Sequence, residues 1–148
     1  MLISNHVVAG AAIGALAPGP VSAFTAGVAS HFAMDAVPHF GVDEEHFMAI
    51  AVPDGLVGLA LMGSLFARAP GDAKVRVLAG MLGACAPDAD KPGKVFFGGS
   101  PFPAAIDAFH ASIQREHSSR WVQELALIGG GLVLARVLVS RAALRPRR

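Results

Sequence analysis

The chain has 148 residues, of which 53% are hydrophobic and only 16% charged, so it carries more apolar surface than one small core buries. The excess indicates contact with lipid, with a soluble helical protein as the alternative because glycine and alanine supply much of the apolar count. A net charge of +1, without basic residues interleaved with aromatics, argues against a nucleic-acid partner. The one cysteine, Cys85, excludes a disulfide within the chain.

Five apolar stretches, separated by proline, glycine or charged residues, predict helices in a single all-α domain over residues 1–148. In chain order they span residues 7–17, 21–37, 48–67, 75–86 and 121–140. The first is expected to begin at an N-cap formed by Ser4 or Asn5 and to end before Pro18. No basic region precedes it, which argues against a cleaved signal peptide. A polar excursion at residues 87–120 separates the last two stretches and contains a short amphipathic helix at residues 104–117.

Length and charge predict how these helices meet a membrane. Only the third and fifth stretches approach the roughly 20 residues that cross the hydrocarbon, so the others must be tilted, re-entrant or partly buried. Basic residues follow these two stretches, and the excess of positive charge predicts that those ends are cytoplasmic. They are Arg68, Lys74 and Arg76 after the third stretch, and Arg141, Arg145, Arg147 and Arg148 after the fifth. Alternate crossings then place the N-terminus, residues 39–46 and the 87–120 excursion together on the extracytoplasmic face.

The densest group of polar residues lies at the end of the second stretch. His31 and Asp35 are four residues apart, so a helix carries both on one face, and Pro38 ends the helix and lets His39 turn back toward them. Imidazole and carboxylate groups converging from one short segment suit a divalent metal ion. The alternative is a histidine oriented by a carboxylate at a helix end.

Two further segments supply carboxylates. Asp54 follows Pro53 early in the third stretch, where it either contributes to a metal site or caps the restarted helix. Asp88 and Asp90 stand two residues apart in a turn at the end of the fourth stretch. That spacing is typical of cation-binding turns and also of ordinary turn chemistry.

The excursion helix carries a polar stripe beside an apolar one, as expected of a helix that lines a site. Its members are Asp107, His110, Gln114 and His117, at spacings of three, four and three. Ordinary surface histidines are the alternative for His110 and His117. His6, just after the first N-cap, is expected at the same face as this stripe.

The sequence contains no G-x-S-x-G, P-loop, G-x-G-x-x-G, C-x-x-C or H-E-x-x-H motif. Activation of water by a metal ion is therefore the chemistry that the residues present supply best.

Three motifs resemble those of small bacterial inner-membrane proteins grouped as metal-dependent hydrolases, over the N-terminal two thirds of the chain. They are Asn5-His6 with Gly10, Ser30-His31-Phe32-x-Met34-Asp35-x-x-Pro38-His39, and Pro87-Asp88-x-Asp90. The resemblance implies a multi-pass protein of the bacterial inner membrane. It also implies metal ligation by His6, His31, Asp35, His39, Asp88 and Asp90.

The later part of the chain departs from that pattern. Many of those proteins carry His-Arg followed by Thr-His-Ser, whereas this chain has only Glu116-His117-Ser118. The H-x-x-x-D spacing of His31 and Asp35 is also similar to that of helical zinc-dependent phospholipases C and nucleases. Their paired H-x-x-x-E is missing, since His110 is followed four residues later by Gln114.

These observations predict a membrane-embedded metal-dependent hydrolase with one or two divalent ions, zinc or manganese. Asp90, His110 and Asp54 are the candidates for base or orienting group, and a phosphoester of lipid or envelope origin is the predicted substrate. The partners expected are membrane lipid and a small-molecule or lipid substrate. Two alternatives stay open: a non-catalytic membrane protein that binds metal or serves a structural role, and a soluble all-helical zinc hydrolase.

Overall fold

The computed structural model describes residues 1–142, and within them the secondary structure is helical, apart from turns and one isolated bridge between His39 and Glu116. The predicted all-α class is confirmed. The helices are α1 (Ile3–Leu16), α2 (Pro20–Asp35), α3 (Glu44–Arg68), α4 (Lys74–Cys85), α5 (Asp90–Phe97), α6 (Ala104–Ile113) and α7 (Trp121–Ala142). Short 3-10 segments cover Ala86–Ala89 and Ser118–Arg120. The predicted cytoplasmic residues Arg145, Arg147 and Arg148 lie outside the described residues.

Several helix ends differ from the predictions. Helix α1 begins at Ile3, with Leu2 at the N-cap position in place of Ser4 or Asn5, because carboxylates from distant helices accept its first N–H groups. Helix α3 begins four residues earlier than expected because the side chain of Asp43 accepts the N–H of His46. Helix α6 ends at Ile113, so the predicted polar stripe is helical only in its first half.

Helix α5, inside the polar excursion, was not predicted. It ends at Phe97 and is followed by Gly98, whose φ of 75° lies in the left-handed region that glycine adopts without steric cost. The excursion therefore folds as two short helices.

Helices α1, α2 and α4, called the inner helices here, pack with their backbones in contact. A Cβ added to Gly10 of α1 would lie 2.7 Å from Met81 Cα, and one added to Gly27 of α2 would lie 2.8 Å from Ala84 N. Gly80 of α4 meets the backbone of α1 in the same way. Small residues at helix contacts are typical of membrane proteins, where close van der Waals packing drives association.

Helices α3 and α7, called the outer helices, are exposed and apolar. Within residues 1–142 they are the two helices long and apolar enough to cross a membrane, and only 11% and 17% of their apolar windows are buried. The expectation of about five membrane-embedded helices is thereby corrected. The inner helices have 12 to 16 residues and reach only about 18–24 Å, short of the roughly 30 Å of hydrocarbon.

Candidate metal centre

Four buried side chains meet at one end of the helical bundle. His31 and Asp35 come from the end of α2, Asp88 from the 3-10 turn after α4, and His110 from α6. Each of the four offers a ligand atom, and these atoms lie within 4.8 Å of one another. This arrangement, called the His/Asp cluster here, could hold a metal ion.

Asp35 stands at the centre of the cluster. Its Oδ2 lies 3.2 Å from the Nε2 atoms of both His31 and His110, and its Oδ1 lies 3.2 Å from His6 Nε2 and 3.1 Å from the amino group of Met1. Burial alone would raise the pKa of Asp35, but the hydrogen bonds from His110, His31 and His6 together lower that pKa below its usual range. The carboxyl is therefore ionised and anionic at neutral pH.

The ring of His31 is fixed with one nitrogen directed into the cluster. Its Nδ1 lies 2.7 Å from the carbonyl oxygen of Ala84, which can only accept, so Nδ1 carries a proton and donates it. The opposite nitrogen, Nε2, lies 3.0 Å from His110 Nε2. Metal-binding histidines are commonly oriented by such a hydrogen bond from the other ring nitrogen to a carbonyl oxygen.

Asp88 closes the cluster on the side of α5. Its Oδ1 lies 3.9 Å from His31 Nε2, 3.8 Å from His110 Nε2 and 2.7 Å from Lys91 Nζ. Burial would raise the pKa of the Asp88 carboxyl, but the charge of Lys91 and those of His31 and His6 lower that pKa overall. Two anionic carboxylates thus face two imidazoles.

The donor set fits a divalent metal ion. Two imidazole nitrogens with two carboxylates suit zinc, and manganese accepts the same ligands. Buried polar atoms normally have hydrogen-bond partners. Among the described residues, the buried atoms at or beside the cluster that make no hydrogen bond include His6 Nδ1, Asp88 Oδ1 and Asp90 Oδ1. Such atoms have no hydrogen-bond partner to displace and are available as ligands for an ion.

The other predicted ligands lie around the cluster at different distances. His6 adjoins it directly, since its ring stacks on that of His31 with centroids 4.1 Å apart. Asp90 lies behind His110, with Oδ1 at 4.0 Å from His110 Nδ1, and its Oδ2 accepts from Lys94 at 2.9 Å. His39 is held elsewhere, with Nδ1 donating to the carbonyl oxygen of Val37 at 2.8 Å and Nε2 lying 3.9 Å from Glu116 Oε1.

The predicted catalytic residue Asp54 holds the start of α1. It accepts hydrogen bonds from the Ile3 N–H and the Ser4 hydroxyl, each at 2.5 Å. This is a capping interaction, but the helix capped is α1 and not the helix that carries Asp54. The contacts fix the backbone two residues before His6.

Some residues of the predicted polar stripe of α6 lie at the cluster and others lie away from it. His110 belongs to the cluster, and the Gln114 amide lies 3.1 Å from His110 Nε2 and 3.4 Å from Asp35 Oδ2. Asp107 instead accepts from the Ser100 hydroxyl at 2.9 Å. His117 lies beyond the helix and donates its backbone N–H to the carbonyl oxygen of His39.

Two carboxylates near the site were not among the predicted residues. Glu124 of α7 is fully buried and accepts hydrogen bonds from Leu2 N, Asn5 Nδ2 and Phe40 N at 2.5 to 3.2 Å. A lone carboxylate in an apolar stretch was the signal available for it. Glu116 faces His39, and its contact with that ring lowers the pKa of its carboxyl, aided by the charge of Lys91.

No family model, curated protein or solved structure matches the chain. The resemblance to bacterial inner-membrane metal-dependent hydrolases therefore stays a prediction. The geometry of the His/Asp cluster is the basis of any functional proposal.

Proposed function

We propose that the protein is a membrane-embedded, metal-dependent hydrolase of phosphoesters. The observation that carries the proposal is the convergence of His31, Asp35, Asp88 and His110 in a buried group of metal-ligand size. A divalent ion, zinc or manganese, suits this set, and such an ion would supply water activated for attack near neutral pH.

The residues around the cluster have separate proposed roles in binding the ion and in proton transfer. His31, Asp35 and Asp88 would hold the ion, with His6 as an additional ligand or as the group that orients Asp35. His110 lies between Asp35 and Asp90, with Nε2 3.2 Å from Asp35 Oδ2 and Nδ1 4.0 Å from Asp90 Oδ1, so both carboxylates would stabilise the positive charge of the ring after it accepts a proton. His39 with Glu116 forms a separate pair, which stays a candidate for a second ion.

The membrane part of the proposal rests on the outer helices. Both are long enough to cross the hydrocarbon and expose apolar side chains along their length. We place the His/Asp cluster on the extracytoplasmic side of a bacterial inner membrane, as the basic residues after α3 predict.

A non-catalytic metal-binding protein is the second candidate. It is favoured by the enclosure of the cluster, in which the four side chains are at most 10% exposed and Lys91 neutralises part of the charge. Turnover separates the two candidates, because a carrier binds the ion without hydrolysing a substrate.

The deciding experiment measures hydrolysis of soluble aryl phosphomonoesters and phosphodiesters by the detergent-purified protein. We expect activity that chelation abolishes and that added zinc or manganese restores. His110→Ala and Asp90→Asn should each lower kcat roughly 100-fold, the usual share of general acid–base catalysis, with little change in KM. Glu45→Ala, on the exposed first turn of α3, is the matched control. Folded, metal-loaded protein without activity would favour the carrier.

A further inference from the structure

A large cavity adjoins the His/Asp cluster. It has a volume of about 730 Å³ and lies between α1, α3, α5 and the segment after α2. Its walls are mostly apolar, as illustrated by Val7, Phe40, Phe47, Met48, Met62 and Val95. The volume is within the usual range for sites that enclose a small organic molecule.

Charged groups of the cavity include Asp88, Lys91 and Glu116. Asp88 is also a member of the cluster, so the cavity borders the candidate metal centre at this side chain. Lys91 lies 2.7 Å from Asp88 Oδ1, with its side chain 29% exposed. A cation beside the carboxylates gives this part of the cavity a binding group for an anion.

Residues at the surface show where the cavity opens. Leu56 and Leu59 of α3 and Phe96 of α5 line it and are still 64 to 67% exposed. Its mouth is therefore apolar and shared with an outer helix, whose exposed face is the one proposed to contact lipid. A hydrocarbon chain can enter from such a surface without first crossing water, because the surroundings are apolar on both sides.

We infer that the ligand of this cavity is an amphiphile with a phosphate head and a hydrocarbon chain. The chain lies between α1, α3 and α5, and the phosphate lies at Lys91, beside Asp88. The inference rests on the proposed function for its chemistry. In that reaction water adds to phosphorus, the bond from phosphorus to the ester oxygen breaks, and this oxygen leaves as an alcohol with a proton taken from the water.

Two glycines of α3 provide a matched test of where the chain lies. Gly55 lines the cavity, whereas Gly63 lies two turns further along and does not, and a Cβ at either position meets no atom within 4 Å. Gly55→Phe should fill the cavity and Gly63→Phe should leave it open. Each methylene excluded from an apolar site weakens binding roughly fourfold, so we expect Gly55→Phe to weaken binding of hexadecyl phosphate more than about tenfold.

Binding is measured by native mass spectrometry from micelles of an uncharged sugar detergent, at a fixed mole fraction of probe. Gly63→Phe should bind hexadecyl phosphate as the unmodified protein does, and butyl phosphate should bind much more weakly than hexadecyl phosphate to both. Equal affinities for Gly55→Phe and Gly63→Phe, or equal affinities for the two probes, would overturn the assignment of the cavity to the chain.

The phosphate head is tested with Lys91→Gln. This variant should bind hexadecyl phosphate several-fold more weakly and hexadecanol with unchanged affinity, at a metal content equal to that of the unmodified protein. Loss of both probes, or of neither, would contradict a phosphate at Lys91.

These results stay distinct from the fate of the proposed function. Chain-dependent binding that is sensitive to Gly55→Phe, without hydrolysis, would support the ligand class and overturn the hydrolase. Hydrolysis of soluble phosphoesters with no preference for long chains would support the hydrolase and overturn the amphiphile.

Discussion

The inner and outer helices differ in length, in how closely their backbones pack and in the exposure of their apolar side chains. The inner helices are short, and glycines bring their backbones into contact around a core that includes Val7, Val77 and Met81. The outer helices have 25 and 22 residues, against 12 to 16 in the inner helices, and leave most of their apolar side chains exposed. Close packing thus positions the chemically active residues, whereas length and apolarity suit the outer helices to lipid.

Each outer helix nevertheless sends one carboxylate inward. Asp54 of α3 and Glu124 of α7 both accept hydrogen bonds from the start of α1, the helix that carries His6. Carboxylates are favourable there because the first N–H groups of a helix have no partners of their own and the helix dipole is positive at that end. The outer helices therefore also fix the inner helix that enters the site.

The largest contrast should appear in accessibility across α3. Glu45 is exposed in its first turn, and Asp72 is exposed in the turn that follows the helix. If α3 crosses the membrane, Glu45→Cys in a Cys85→Ala background should react with an impermeant thiol reagent added outside cells, and Asp72→Cys should react only after lysis. Labelling of both from one side would show that α3 does not cross. The reverse pattern would place the site in the cytoplasm.

The next largest effect should come from the contact between inner helices. Gly80→Ala places a Cβ against the backbone of α1, so the two helices must separate. We expect a loss of about 3 kcal/mol in the free energy of unfolding, the upper end of the usual cost of overpacking. The measurement is denaturation in mixed micelles followed by circular dichroism.

Gly63→Ala is the control for that substitution, since the added methyl group meets nothing within 4 Å. It should leave stability unchanged or raise it by up to about 1 kcal/mol through helix propensity. Equal destabilisation by Gly80→Ala and Gly63→Ala would refute the difference between inner and outer helices.

A smaller effect is expected at the link between the two groups of helices. Glu124→Ala leaves Leu2 N, Asn5 Nδ2 and Phe40 N without their acceptor. Hydrogen bonds to charged groups contribute roughly 1.5–3 kcal/mol, so a loss of about 2 kcal/mol is expected. Glu45→Ala, at an exposed carboxylate, should cost less than about 1 kcal/mol. Similar losses in both variants would mean that Glu124 does not hold α1.

Local spacing made much of this architecture predictable. Hydropathy and length identify the two long apolar helices, and a separation of four residues places His31 and Asp35 on one face. All four members of the His/Asp cluster were candidates from the sequence, because their residue types and spacings at helix ends and in the turn after α4 suit metal ligands.

Contacts between residues far apart in the chain could not be predicted from local sequence patterns. The capping of α1 by Asp54 and Glu124 joins residues that are 50 to 51 and 119 to 122 positions apart. His39 turns toward Val37 and Glu116 instead of the cluster, a choice fixed by the bridge to Glu116. Helix α5 was not predicted because Pro92 and Gly93 interrupt a short segment with few apolar residues.

The most direct test of the central claim is the metal content of protein purified without added metal, with zinc and manganese titrated in afterwards. We predict at least one tightly bound equivalent, falling below one in both His31→Ala and Asp35→Ala because each variant opens the ligand set. Glu45→Ala should retain the full content. Protein that binds no stoichiometric ion, or full occupancy in both His31→Ala and Asp35→Ala, would show that the His/Asp cluster is a structural polar network and not a metal centre.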